Sequence, residues 1–220
     1  MNKIAAMKGS ERMARYYISD LHFGNKNIIA CDRRPFSDVD EMDAEIIRRW
    51  NSTVTSRDDV VILGDLAFFS ASYANEVLAK LNGHLFLIQG NHDHFVQKKD
   101  FLKERFGWIR PYAELSDNNR KVVLCHYPVF CYNGQYLFTR TGEPRTYMLY
   151  GHTHNTMDEV LVSRFIRQTA DTVRYQKSLD RECAIPCQMI NTFCGFSDYR
   201  PKTLDEWIKI DAARRAAMEL

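Results

Sequence analysis

Tyr16-Tyr17-Ile18-Ser19-Asp20-Leu21-His22-Phe23-Gly24 sets the pattern of the whole chain: a short apolar run delivers a carboxylate and an imidazole two residues apart. The construction returns four times. Val60-Val61-Ile62-Leu63 leads into Gly64-Asp65, and Leu85-Phe86-Leu87-Ile88-Gln89 into Gly90-Asn91-His92-Asp93-His94. Val122-Val123-Leu124-Cys125 leads into His126, and Tyr147-Met148-Leu149-Tyr150 into Gly151-His152-Thr153-His154. Short apolar runs bounded by glycine or polar residues read as buried strands. Polar residues at the ends of such strands are where α/β proteins keep their ligand sites. Five strand ends carrying carboxylate, amide and imidazole groups read as one metal site.

Helical spacing fills the intervals. Val39, Met42, Ile46, Ile47 and Trp50 recur on one face behind Ser37-Asp38-Val39-Asp40, which resembles a capping box. Ala74, Val77, Leu78 and Leu81 form a second face, with Asn82-Gly83 as its expected C-cap. Phe95 to Phe106 is expected to be a short helix closed by Gly107, and Thr203 with Glu206 opens a last helix through Trp207 and Ile208. Two stretches break the alternation. Residues 127–146 are aromatic and turn-rich and read as a loop bordering the site. Residues 157–182 carry Val162, Phe165, Ile166, Thr169 and Val173 at helical spacing and predict an inserted helix packed on the body. No repeat, low-complexity tract or linker divides the chain, so residues 15–220 read as a single domain. Residues 1–14, polar and basic, read as a flexible N-terminal extension, with Met7 or Met13 as alternative starts.

At 220 residues the chain is long enough for one sizeable core. A net charge of +2 gives no sign of wholesale nucleic-acid coating, so nucleic acid is not the favoured partner. No apolar stretch approaches the roughly 18 residues of a membrane helix, and the N-terminus has no apolar core of a secretory signal. Six scattered cysteines, Cys31, Cys125, Cys131, Cys183, Cys187 and Cys194, suit reduced thiols and a cytoplasmic location. Cys183 and Cys187 lack the further thiol or histidine pair a zinc site would need.

In an extended segment, side chains i and i+2 point the same way, so Asp20 with His22 and His152 with His154 can grip one ion together. Glycine before a ligand permits a tight exit from the strand and close backbone approach. Imidazole mixed with carboxylate suits zinc, iron, manganese, cobalt or nickel rather than calcium. Asp20, His22, Asp65, Asn91, His126, His152 and His154 are too many for one tetrahedral ion and suit two divalent ions sharing a carboxylate. Two aspartates and a bridging hydroxide leave such a pair net positive, which favours an anionic phosphate ester.

The order Asp-x-His, Gly-Asp, Gly-Asn-His-Asp, His, Gly-His-x-His resembles the calcineurin-like metallophosphoesterases, in a small single-domain bacterial-type branch. The likeness runs from Arg15 to His154 and resumes from Cys187 to about Ile208. It implies a four-layer α/β sandwich, two mixed β-sheets flanked by helices, with metals at the C-terminal ends of strands. Carried over, Asp20, His22 and His154 would hold one ion and Asn91, His126 and His152 the other, with Asp65 bridging. Manganese is the favoured metal. His92 would be the catalytic, non-ligand histidine, with Asp93 orienting its imidazole. The activity implied is hydrolysis of a small phosphodiester or phosphomonoester by attack of a metal-bridging hydroxide. Asn25 stands where a second histidine is common, and Asn191-Thr192-Phe193 where Asn-Val-Gly is, which bears on substrate rather than chemistry.

Plainer roles compete for several residues. His84 and His94 read as structural or incidental. Arg33, Arg34, Arg140 and Arg145 could clamp a phosphate but read first as solvated. Tyr132, Tyr136 and Phe138 could stack on a nucleobase but read first as loop packing. A nuclease is the alternative enzyme, and a non-catalytic protein-binding scaffold the alternative of another class. A scaffold should have lost ligands, and this chain keeps them all. The sequence leaves the oligomeric state open.

Overall fold

In the computed structural model, which describes residues 13–68, 70–139, 142–177 and 179–218, all five apolar runs are strands. β1 (Arg15–Ile18), β2 (Asp59–Ile62), β3 (His84–Ile88) and β4 (Phe106–Arg110) run parallel, and the two-residue β11 (Lys202–Thr203) adds an antiparallel edge. The order is β11-β1-β2-β3-β4. A second sheet, ordered β10-β7-β6-β5, holds β5 (Tyr112–Asp117), β6 (Arg120–Cys125), β7 (Thr146–Tyr150) and β10 (Met189–Asn191). Only β5 is antiparallel there.

Period-two alternation assembles the layers. From the first sheet, Tyr17, Val61, Leu63 and Ile88 meet Val122, Leu124, Leu149 and Ile190 of the second in one buried cluster. The opposite faces turn outward. Ile18, Val60, Ile62 and Leu87 pack on α2 (Val39–Thr53) and α3 (Ala71–Lys80), while Val123, Met148 and Met189 pack on α4 (Met157–Asp171). This is the expected four-layer arrangement of two mixed sheets flanked by helices. The last helix, α5 (Leu204–Ala216), opens with the expected capping box of Thr203 and Glu206. It lies at the edge, where Leu204 and Trp207 enter the inter-sheet cluster and Trp207 Nε1 donates to Tyr17 O at 2.8 Å.

Local chemistry corrects several boundaries. Asp38, one residue later than expected, caps α2 by accepting from Glu41 N, while Ser37 binds the Glu41 carboxylate. Asn82-Gly83 does not cap α3, because Leu81 already leaves the helix in extended conformation. Asn82 instead bonds the end of α2 through Asn51 Oδ1 and Val54 O. Residues 95–106 are not a helix but two 3-10 turns, His94–Gln97 and Lys103–Arg105. Phe95, Phe101 and Phe106 all insert into the core at a spacing no helix face supplies, and Gly107 belongs to β4 beneath the Phe86 ring.

The 157–182 stretch is likewise only half helical. α4 is followed by a hairpin of β8 (Val173–Gln176) and β9 (Arg181–Ala184), so Val173 is an exposed strand residue. The described residues 127–139 and 142–145 lie in loop, as expected, with Tyr132 buried and its hydroxyl accepting from Gln188 N. A short α1 (Lys26–Cys31), capped by Asn25, follows the first ligand loop. Most of the expected N-terminal extension, residues 1–12, lies outside the described residues, as does Arg140. Ala14 is fastened through its N–H to Asp58 Oδ1 and through its carbonyl to Asp59 N.

Trp207 is fully buried where the sheets and α5 meet. Trp207→Ala should destabilise the protein by about 3–5 kcal/mol, read as a lower midpoint in urea unfolding.

Candidate metal centre

Every candidate ligand sits just beyond the C-terminal end of a parallel strand. Asp20 and His22 follow β1, Asp65 follows β2, and Asn91 and His92 follow β3; His126 follows β6, and His152 and His154 follow β7. The two sheets join here, because Ser19 bridges to Phe193 and Ser19 N donates to Thr192 O at 2.9 Å.

The local backbone departs from the extended chain assumed for Asp-x-His and His-x-His. Asp20, His22, Asp65, His152 and His154 all have φ between +45° and +68°. Left-handed φ is uncommon outside glycine, but Asp and His are among the residues that adopt it most readily. The glycines act by clearing space. A Cβ on Gly64 would lie 2.3 Å from His126 Nδ1, one on Gly90 2.3 Å from Asp65 Oδ1, and one on Gly151 2.6 Å from Asp20 Oδ2. Each makes room for a ligand-bearing side chain from another strand. Only Gly64 among these three also needs its left-handed φ, +86°.

Two donor groups result. Donor atoms of Asp20, His22, Asp65 and His154 lie within 4.8 Å of one another, as do those of Asp65, His126 and His152. In the first, His22 Nε2 is 3.3 Å from His154 Nε2 and 3.6 Å from Asp65 Oδ2. In the second, His126 Nε2 is 3.5 Å from the same Asp65 oxygen and 3.0 Å from Asn91 Oδ1. His126 Nδ1 meets Leu63 O at 2.8 Å, a contact that places its proton there and leaves Nε2 a lone pair for the cluster. Lone pairs of imidazole and carboxylate converging in this way, buried except at the partly exposed His154 and the exposed His152, fit divalent cations.

A backbone N–H holds one oxygen of each aspartate, and Ser19 Oγ donates to the second oxygen of Asp20 at 2.6 Å. Asp20 Oδ1 accepts from His152 N at 2.9 Å, and Asp65 Oδ1 from His92 N at 2.8 Å. His92 itself borders the cluster, its ring 5.4 Å from His22 and 5.6 Å from Phe68. Asp93 does not do what the sequence suggested. Its carboxylate accepts from the N–H groups of Gly90 (2.7 Å), Asp65 (3.0 Å) and Leu66 (2.8 Å). It fastens the loops after β2 and β3 together rather than orienting the imidazole.

Residues outside the expected ligand set also approach the site, and Asp32 among them carried no sequence signal. Asp32 accepts from His154 Nδ1 at 2.8 Å, and Asn191 Nδ2 donates to His154 O at 2.9 Å. Phe193 stacks on the His154 ring at 4.8 Å, which is what the departure from Asn-Val-Gly introduces. Tyr127 lies 4.6 Å from the His152 ring and, like Phe68, is half-exposed. Arg34 is buried and bonded to Asp32, so it is neither solvated nor a substrate clamp. His84 and His94 are exposed and outside both donor groups.

Burial and pairing pull the imidazoles apart. Burial pushes His22 down to about 4, overcoming Asp20 and Asp65. Burial also opposes charge on His126, but its bond to Asp65 and the nearby carboxylates raise it to about 9. Asp65 is held at about 2 against its own burial by His126, His22 and the His92 N–H. Asp93 goes the other way, up to about 6, because burial outweighs its backbone bonds.

A raised His126 stabilises the metal-free fold fully below its ordinary 6.5, and this contribution is lost as pH rises through about 9. Metal binding needs the neutral ring. Manganese affinity should therefore increase with pH up to about 9, with proton release on titration of the metal-free protein in weak buffer near pH 7. Gly90→Ala should lower bound metal at unchanged pH, measured by elemental analysis, because its methyl would displace Asp65.

The calcineurin-like phosphoesterase superfamily domain matches residues 13–168. An uncharacterized protein of Methanocaldococcus jannaschii is 36% identical over 147 residues, covering 66% of this chain and 72% of that protein. The gene 66 protein of Mycobacterium phage L5 is 28% identical over 180 residues, covering 70% and 82%. Among solved structures, a protein of unknown function from Aquifex aeolicus superposes with a TM-score of 0.60 at 22% identity, covering 90% of this chain and all of that one, a likeness of fold. With the domain matched over more than half its length, and with a cluster of Asp and His fit for metal at its strand ends, this chain belongs to the calcineurin-like phosphoesterase superfamily.

Proposed function

We propose that the protein is a dinuclear metal-dependent hydrolase of small phosphate esters, diester or monoester, acting in the cytoplasm. The observation that carries this reading is the position of Asp65 Oδ2, 3.6 Å from His22 Nε2 and 3.5 Å from His126 Nε2. Asp65 thus reaches an imidazole of each donor group, where a shared ligand would stand. Asp20, His22 and His154 would hold one ion and Asn91, His126 and His152 the other, manganese being the favoured metal. When bound, such ions supply Lewis-acid polarisation of phosphoryl oxygens and bring the pKa of water towards neutrality.

The chain's own residues supply the rest. His92, held by its backbone bond to Asp65 and by the ring contacts with His22 and Phe68, would give a proton to the leaving oxygen. Phe68 and Tyr127 flank the donor groups from two sides and would pack against the organic parts of an ester, excluding water. Six free thiols support the cytoplasmic assignment. Among the described residues no helix is long and apolar enough to cross a membrane.

Purified protein with manganese should hydrolyse bis-p-nitrophenyl phosphate or p-nitrophenyl phosphate. Asp65→Ala should lose activity together with bound metal. His92→Ala should keep its metal while turnover falls by roughly 10²–10⁴-fold. Equal metal loss in the His92 variant would make it a ligand, and a wild-type rate in Asp65→Ala would sink the reading altogether.

A further inference from the structure

Two imidazoles in the first donor group are held very differently. His22 is buried, yet its Nδ1 has no hydrogen-bond partner. His154 is braced on every side. Its Nδ1 meets Asp32 Oδ1 at 2.8 Å, and Phe193 stacks on its ring. Asp32 belongs to the loop after α1 and is 122 residues away from His154 in the chain.

Asp32 is itself gripped. Its other oxygen, Oδ2, takes Arg34 Nε at 3.0 Å and Nη2 at 2.8 Å. The Arg34 side chain is fully buried. Its remaining donors reach the first ligand turn, with Nη1 to Leu21 O and Nη2 to Asp20 O, both at 2.8 Å. The guanidinium also lies 5.6 Å from the Tyr199 ring centroid. A planar five-donor fork is suited to serving a carboxylate and two carbonyls at once, and lysine is not.

From these contacts we propose that Asp32 and Arg34 are a positioning pair for one metal subsite. Asp32 fixes the tautomer of His154 so that Nε2 faces the ion. Arg34 couples that imidazole to the left-handed Asp20 turn, so that ligands from β1 and β7, one in each sheet, stay in register. The pair supplies no ligand and touches no substrate. A carboxylate behind an imidazole also raises its basicity as a donor. His126 of the second group leans instead on a neutral backbone carbonyl, Leu63 O, so the effect is confined to the first subsite. The proposal rests on the reading that Asp20, His22, Asp65 and His154 hold an ion.

Two measurements on the full chain test it. In metal-free wild-type protein at alkaline pH, long-range proton–nitrogen NMR should show the His154 proton on Nδ1. A proton on Nε2 overturns the proposal without any variant being made. Calorimetric titration with manganese should show two sites in the wild type. In Asp32→Asn one of them should weaken by about 10–100-fold, the scale for a lost partner behind a ligand, with the other within twofold. Arg34→Lys should weaken the same site, whereas a general packing defect would degrade both. His154→Ala separates the two levels of inference. Loss of one site in His154→Ala with wild-type affinities in Asp32→Asn defeats the positioning pair alone. Unchanged binding in His154→Ala defeats the metal assignment and the pair with it.

Discussion

Carboxylate oxygens accepting backbone N–H groups across strand ends hold the centre together. Asp20 takes the N–H of His152, Asp65 that of His92, and Asp93 those of Gly90, Asp65 and Leu66. The first bond spans the two sheets, and the others tie neighbouring loops of the first sheet. A carboxylate bonded in this way has a fixed orientation, so its remaining lone pairs point in a fixed direction. Charge-assisted bonds of this kind are shorter and stronger than neutral ones, and burial removes the competing water. Backbone bonds beyond the strand ends add to them, His22 N donating to Asp65 O and Gly151 N to His126 O, both at 2.9 Å.

Behind the site, a fourth buried carboxylate has the same function for the outer helices. Glu159 on α4 is fully buried and accepts from Tyr150 OH at 2.8 Å, Asn191 Nδ2 at 2.9 Å and Thr153 Oγ1 at 3.0 Å. Arg214 and Arg215 of α5 pair with it from the other side. Thr153 stands between the two β7 histidines, and Asn191 also bonds His154 O. The helix expected as an insertion is therefore mechanically continuous with the ligand loop. Removing one partner of a buried charge is costly, because it leaves the rest uncompensated.

The sequence carried the strands and the ligand set because both are written locally. A strand buried on both faces is a continuous apolar run, and its polar terminus is the next residue or two. Val60–Leu63 followed by Gly64-Asp65 needs no partner to be read. Residues 95–106 failed as a helix because their three phenylalanines are spaced by six and five, a pattern set by the neighbouring core. Adjacency to His92 suggests contact with Asp93, while the Asp93 oxygens are taken by the N–H groups of Gly90, Asp65 and Leu66, two of them in a different loop. Asp32 could not be found, since no spacing rule joins residues more than a hundred positions apart. The hairpin after α4 was hidden because Val173 fits both the helical face and the alternating strand.

The left-handed backbone at Asp20, His22, Asp65, His152 and His154 has an evolutionary consequence. Each such position filters replacements by conformation before any chemistry is tested. Glycine fits but brings no donor, and β-branched residues are sterically unwelcome. Asparagine, aspartate and histidine remain as the residues that both tolerate the turn and offer a lone pair. Drift at these five positions is therefore confined to a three-letter alphabet of nitrogen and oxygen ligands. A descendant seeking a thiolate centre would have to rebuild the loops, not merely exchange side chains.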